Sequence, residues 1–230
     1  MTQSVSVIVG GLLRFLSVSL GLLLVPGVVF VDIAWLNNGL SEWGVTEGLQ
    51  SLLILLSALI GFQGALSRPE QRSFLILVAG FFLCMFFREQ DRLLDLVFDG
   101  LWQLLVFATA TISIVMSLRD RRTLISAMAA ACQSVAFSHV LFGIALLLCF
   151  SRVFGTGALW EEVLVGVDAD VLHQTKTVVQ EGLELCGYYF IFYGSLMFWL
   201  QHRRPSMATK ASKTRVDMRG YSAQHELNAG

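Results

Sequence analysis

The sequence predicts an all-α integral membrane protein with six transmembrane helices, arranged as three hairpins with the N- and C-termini cytoplasmic. Three observations carry this. The chain is 55% hydrophobic and 14% charged, with a mean hydropathy of +0.68, against about one quarter charged residues in soluble domains. Its apolar residues gather into six runs of about twenty residues, the length that about 30 Å of hydrocarbon requires. Its basic residues cluster on one side of those runs. No soluble fold hides six such runs, so disulfide scaffolds, nucleic-acid-binding modules and ordinary cytosolic enzymes are excluded.

The first span covers 15–34. Arg14 precedes it and no small-residue cleavage site follows, so it reads as a retained helix with residues 1–13 as an interfacial lead-in. Pro26 and Gly27 inside it are tolerable because neighbouring helices re-satisfy the backbone. The next spans read 47–66, 73–92, 99–118, 124–150 and 181–200, within a transmembrane domain of 14–204. The one long connection, 151–180, carries Gly155, Gly157, Trp160 and an apolar-acidic run, and is expected to form an outer lid. Residues 205–230 are polar and basic, too poor in large apolar groups to order themselves, and read as a disordered cytoplasmic tail.

Orientation follows from charge. Arg14, Arg68, Arg72, Arg119, Arg121, Arg122 and six tail residues from Arg203 onward make twelve of the sixteen bases, all on one side. By the positive-inside rule that side is the cytoplasm, and the setting expected is a bacterial-type inner membrane. Thirteen of the seventeen acids fall on the opposite side, among them Asp32, Glu42 and the acids of the lid. Cys84, Cys132, Cys149 and Cys186 lie within or at the ends of spans without CxxC spacing, as packing residues do.

A short pattern recurs at the outer ends of the second, fourth and sixth spans: Glu47-Gly48-Leu49, Asp99-Gly100-Leu101 and Glu181-Gly182-Leu183. Each is expected to open a helix, with an acid complementing the helix dipole and a glycine permitting close approach.

Helical periodicity then sorts the polar residues into stripes. Glu47, Gln50, Ile54, Ser57, Gly61 and Gly64 share one face of the second span, and Glu181, Glu184, Tyr188, Ile191 and Ser195 one face of the sixth. The third supplies Gly80, Cys84, Arg88, Asp91 and Asp95, with Glu89 beside them, and the fifth Cys132, Ala136, His139 and Gly143. Ionisable groups inside a membrane mark sites by default, so these stripes should face inward onto a pocket open to the outer side.

The chemistry these residues suggest is metal-assisted hydrolysis or modification of a lipid or lipid-linked substrate. Glu181, Glu184 and His139 would hold a divalent ion such as zinc. Glu47 or Asp91 would act as general base and Arg88 would hold a phosphate, with Gln50, Glu89 and Tyr188 lining the pocket. The alternatives are a cation- or proton-coupled transporter and a non-catalytic assembly or sensor subunit. Partners are membrane lipids, with a membrane-protein partner or a second copy as further candidates and no nucleic acid. No HExxH box, GxSxG nucleophile, Walker lysine motif or paired haem histidines occur in the chain.

Overall fold

The computed structural model describes residues 2–35 and 44–203, and among these the chain is helical with no strand. Helix α1 (Thr2–Phe30) runs into a π-helical turn, Val31–Trp35. Helix α2 (Val45–Ser67) is joined to α3 (Arg72–Glu89) through a 3-10 turn, Pro69–Gln71, that Pro69 opens. A short α4 (Asp91–Asp95) leads to α5 (Leu101–Leu118), followed by α6 (Arg121–Cys132) and α7 (Val135–Ala145). A second π-helical turn, Leu146–Phe150, joins α7 to α8 (Ser151–Phe154), and α9 (Gly157–Val163) precedes α10 (Ala169–Arg203). The expected tail, 205–230, and Glu42 lie outside the described residues.

Six stretches are long and apolar enough to cross a membrane: Ser4–Trp35, Val45–Ser67, Pro69–Glu89, Leu101–Leu118, Val135–Phe154 and Ala169–Gln201. Their outward faces are apolar. Val7, Ile8, Phe15 and Leu23 of α1 and Leu104, Phe107, Ile112 and Val115 of α5 are all exposed. So much uncovered hydrocarbon is untenable in water and ordinary in lipid, which fits a multi-pass membrane protein.

Cross-helix contacts fix the relative directions. Gly61 meets Ala79 and Gly64 meets Leu75, so α2 and α3 are antiparallel. Ser117 donates to the Ser73 carbonyl at 2.8 Å and Cys84 to that of Val106 at 3.5 Å, so α5 runs against α3. Gly143 meets Gly187 and Ala136 meets Gly194, setting α7 against α10. Ser17 meets Tyr193 and Gly21 meets Tyr189, setting α1 against α10. Gln50 bonds Glu181 and Trp199 bonds Gln63, so α10 runs parallel to α2.

Helices α2, α3, α6, α7 and α10 build the core. One cluster gathers Ile54, Ala58, Phe82, Val140, Leu147, Tyr188 and Ile191; a second gathers Ala65, Phe74, Leu75, Ile76, Leu124, Ala127 and Ala131. The α7–α10 seam is tight because small residues recur every seventh position on both helices. A Cβ on Gly143 would lie 2.5 Å from the Gly187 carbonyl oxygen, and one on Gly194 would lie 2.6 Å from that of Ala136.

Three expectations are corrected. The fifth span is not one helix over 124–150: it breaks at Gln133–Ser134, where Ser134 turns to extended backbone and its hydroxyl caps α7 by accepting from the Phe137 amide at 3.1 Å. Helix α6 is then a separate short element packed on α3 through Leu124, Ala127 and Ala131. The sixth helix does not begin at Glu181, because α10 is already helical from Ala169 and Glu181 sits about 18 Å along it. The acid-glycine-leucine triplets are therefore not equivalent. Glu47 lies in the first turn of α2, Glu181 lies within α10, and Gly100 caps α5 at φ +83°, a conformation that favours glycine. Nothing lies within 4 Å of a Cβ built on Gly48 or Gly182, so neither glycine serves close packing.

Candidate functional site

The polar residues predicted on α2 and α10 do face inward. On α2 the buried side chains include Gln50, Ile54 and Ser57 with Gly61 and Gly64; on α10 they include Glu184, Tyr188, Ile191 and Ser195. Because α2 and α10 are parallel, the acidic ends of both stripes meet at one end of the bundle, here termed the acidic end. Gln50, fully buried, donates its Nε2 to Glu181 Oε2 at 3.0 Å.

The C-terminal end of α3 delivers the second cross-helix pair. Glu89 Oε1 accepts from the Tyr188 hydroxyl at 2.6 Å and from Arg88 Nη2 at 3.0 Å. Tyr188 is completely buried, whereas the Arg88 side chain is 39% exposed, so the ion pair is solvent-screened on its arginine side. Glu184, 6% exposed, accepts from Gln180 Nε2 at 3.2 Å one turn away. Gln90, where the chain turns from α3 to α4, donates to Ser51 Oγ at 2.6 Å and ties that turn to α2.

Glu47 stands half-buried at the top of α2, without a hydrogen bond to any described residue and within electrostatic range of Glu181, Glu89, Asp91 and Asp32. Asp91 Oδ1 accepts from its neighbour's amide, that of Arg92, at 2.6 Å. Arg152, exposed on α8, is the basic group in electrostatic range of Glu181. The end as a whole is carboxylate-rich, and Arg88–Glu89 is the one ion pair found among the described residues.

Asp32 was legible only as an outer acid, yet it is completely buried. Its carboxylate accepts from the Val45 amide at 2.8 Å, from the Thr46 amide at 2.7 Å and from the Thr46 hydroxyl. It therefore caps α2 from across the α1–α2 connection, because the α2 N-cap residue is Gly44, which has no side chain to do so. The one signal in the sequence is an acid near the end of the first apolar run with no local helix to cap. The π-helical turn that carries Asp32 shifts the register there and aims it inward.

The expected metal triad is not assembled. His139 lies near the start of α7, since the break at Gln133–Ser134 places it only about 6 Å above that helix's first residue. There its Nδ1 contacts the Val135 carbonyl at 2.7 Å and its ring packs against Phe190 and Tyr193, with centroids 6.3 and 5.2 Å away. Phe190 is about 9 Å along α10 from Glu184. Among the described residues no group of three or more His, Cys, Asp or Glu could hold a metal ion. The α3 stripe is likewise divided. Gly80 and Cys84 pack on α5, while Arg88 and Glu89 turn to the acidic end.

Three buried polar atoms contrast with this network. Among the described residues Gln50 Oε1 lacks any donor, as does Gln71 Oε1 at the opposite end, where Arg68 Nη1 lacks an acceptor. Leaving such a group unpaired costs about 1–3 kcal/mol. A small cavity of about 40 Å³ exists elsewhere in the core, among Ser57, Phe74, Val78, Phe137, Ser195 and Phe198, and none of the candidate residues lines it. No protein-family model, curated protein or solved structure matches this chain.

Proposed function

We propose that this membrane protein uses its acidic end as a one-sided binding or catalytic site for a lipid or lipid-linked substrate. The observation that carries the reading is the convergence of α2, α3 and α10 on Gln50–Glu181 and Tyr188–Glu89–Arg88, with an apolar layer of Ile54, Ala58, Phe82, Val140 and Ile191 beneath. Polar groups buried in a membrane protein are costly, and here they are gathered rather than spread. Arg88 has guanidinium N–H groups beyond the one given to Glu89, as a phosphate-holding residue needs. Glu47, half-buried beside that network and without a hydrogen bond to any described residue, would take the proton. Nothing in the arrangement assigns zinc to the site, since His139 stands with the aromatic rings of α10.

A transporter would need a polar route across the apolar layer, and its inward-facing hydroxyls instead bond their own helices: Ser57 to the Leu53 carbonyl and Ser195 to that of Ile191, both at 2.8 Å. The basic bias of the other end supports an extracytoplasmic acidic end, and the setting proposed is a bacterial-type inner membrane. Cysteine labelling in a cysteine-free background tests this sidedness. A probe at Ser212 should react only from inside and one at Gly157 only from outside, and labelling of both from one side would refute the assignment. For the function itself, native mass spectrometry of the purified chain should find a stoichiometric lipid or lipid-linked molecule. A chain free of any such ligand after gentle extraction would favour the assembly-subunit reading.

A further inference from the structure

We propose that Glu47, Gln50 and Glu181 form a site for one hydrated divalent cation of the magnesium class, a different ligand set from the histidine-containing one suggested by the sequence. Glu47 and Gln50 are three residues apart, and so neighbours on one face of α2. Glu181 is brought to them by α10 and held by the Gln50 amide at 3.0 Å. Gln50 is wholly buried, and its Oε1 has no donor. That oxygen shares a carbon with the nitrogen that serves Glu181, so it is held in the same buried corner. Turning the amide over leaves the demand in place, because the oxygen would then face the carboxylate and the nitrogen would be orphaned instead. Arg152 is in electrostatic range of Glu181 but forms no ion pair with it, so among the described residues this corner has no cation in direct contact.

Donor chemistry narrows the ion. Every group is oxygen, with no thiol or imidazole nearby, which selects a hard cation over zinc. A calcium cage takes six to eight oxygens, commonly from several carboxylates. No group of three or more acidic, histidine or cysteine residues able to hold a metal occurs among the described residues. Magnesium, in contrast, keeps much of its water and is held through one or two carboxylates. Charge agrees with this count. Glu89 is paired with Arg88 and Asp32 is spent on the amides of α2, which leaves Glu47 and Glu181 without an ion pair among the described residues, with Glu184, bonded to Gln180, in electrostatic range of Glu181. Such an ion would orient a phosphate beside Arg88 and polarise it, so the inference rests on the acidic end being a ligand site.

The test uses the full chain in detergent with manganese as a spectroscopic stand-in for magnesium. One Mn²⁺ per chain should bind, displaced by Mg²⁺ and not by Na⁺ at equal ionic strength. Glu47→Gln and Glu181→Gln should each weaken binding at least tenfold, while Glu70→Gln, an exposed acid at the other end, should leave it unchanged. If Glu181→Gln fails to fold, Glu47→Gln decides, since Glu47 makes no hydrogen bond to any other described residue. Absence of saturable binding, or equal binding by Glu47→Gln, overturns the site. Lipid content read on the same samples separates the two ideas. Lipid without Mn²⁺ binding defeats this inference alone, and Mn²⁺ binding without lipid defeats the lipid reading alone.

Discussion

The two halves of the buried α2 and α10 stripes handle polarity in opposite ways. At the acidic end the polar side chains are long and reach across helices, Gln50 to Glu181 and Tyr188 to Glu89. Farther down the same stripes Ser57 and Ser195 fold back onto carbonyls of their own helices, four residues earlier. A back-bonded hydroxyl asks nothing of its neighbours and lets helices pack through small surfaces. A cross-helix carboxylate fixes the position of two helices and must be satisfied for the fold to hold. The lower half has cross-helix bonds too, Trp199 to Gln63 and Ser117 to the Ser73 carbonyl, but these join neutral groups, and the acidic end is where the chain commits charge to a specific geometry.

Substitutions sharpen the contrast, and the largest effect belongs to the scaffold seam. Gly143→Leu would drive a side chain into the Gly187 carbonyl and the α10 backbone, so a loss of about 3 kcal/mol in thermal or denaturant unfolding in detergent is expected. Tyr188→Phe removes one cross-helix bond to an ionised acceptor while keeping the ring, and should cost about 1.5–2 kcal/mol in the same assay. Asp32→Ala uncaps α2, with an expected loss of about 1–2 kcal/mol and faster amide exchange confined to its first turn. Ser57→Ala should be the smallest, within about 0.5 kcal/mol, because the hydroxyl serves only its own helix. If Ser57→Ala cost as much as Tyr188→Phe, the distinction between the two ends would fail.

Much of this division is written in the sequence, because it depends on period and residue size. The α2 stripe from Gln50 to Gly64 is the buried face, and the α10 stripe from Glu184 to Ser195 is too. Hydropathy also finds six stretches long enough to span. What it misses is set by contacts between distant residues. The break at Gln133–Ser134 falls within an apolar run, and hydropathy carries no mark of a serine turning to cap α7. That one break lowers His139 by the whole length of α6 relative to a continuous helix, which is why it stands with Phe190 and Tyr193 and not with Glu184. Asp32 was hidden for a similar reason, since its partners are the amides of a helix thirteen and fourteen residues on. The pairing of Glu89 with Tyr188 needs the antiparallel and parallel packing of three helices, which no single stripe reveals.

One paired measurement along α10 tests the role of the acidic end most directly. Glu184 and Ser195 share its buried face, about 16 Å apart, one at the acidic end and one in the scaffold. Glu184→Gln and Ser195→Ala would each be purified and assayed for bound lipid per folded molecule by native mass spectrometry, with thermal stability read alongside. The expected result is loss of ligand in Glu184→Gln with stability retained, since a neutral amide still finds partners on that face, and no change in Ser195→Ala. If Glu184→Gln loses stability while ligand per folded molecule is unchanged, the acidic end is a structural network and the functional reading is wrong.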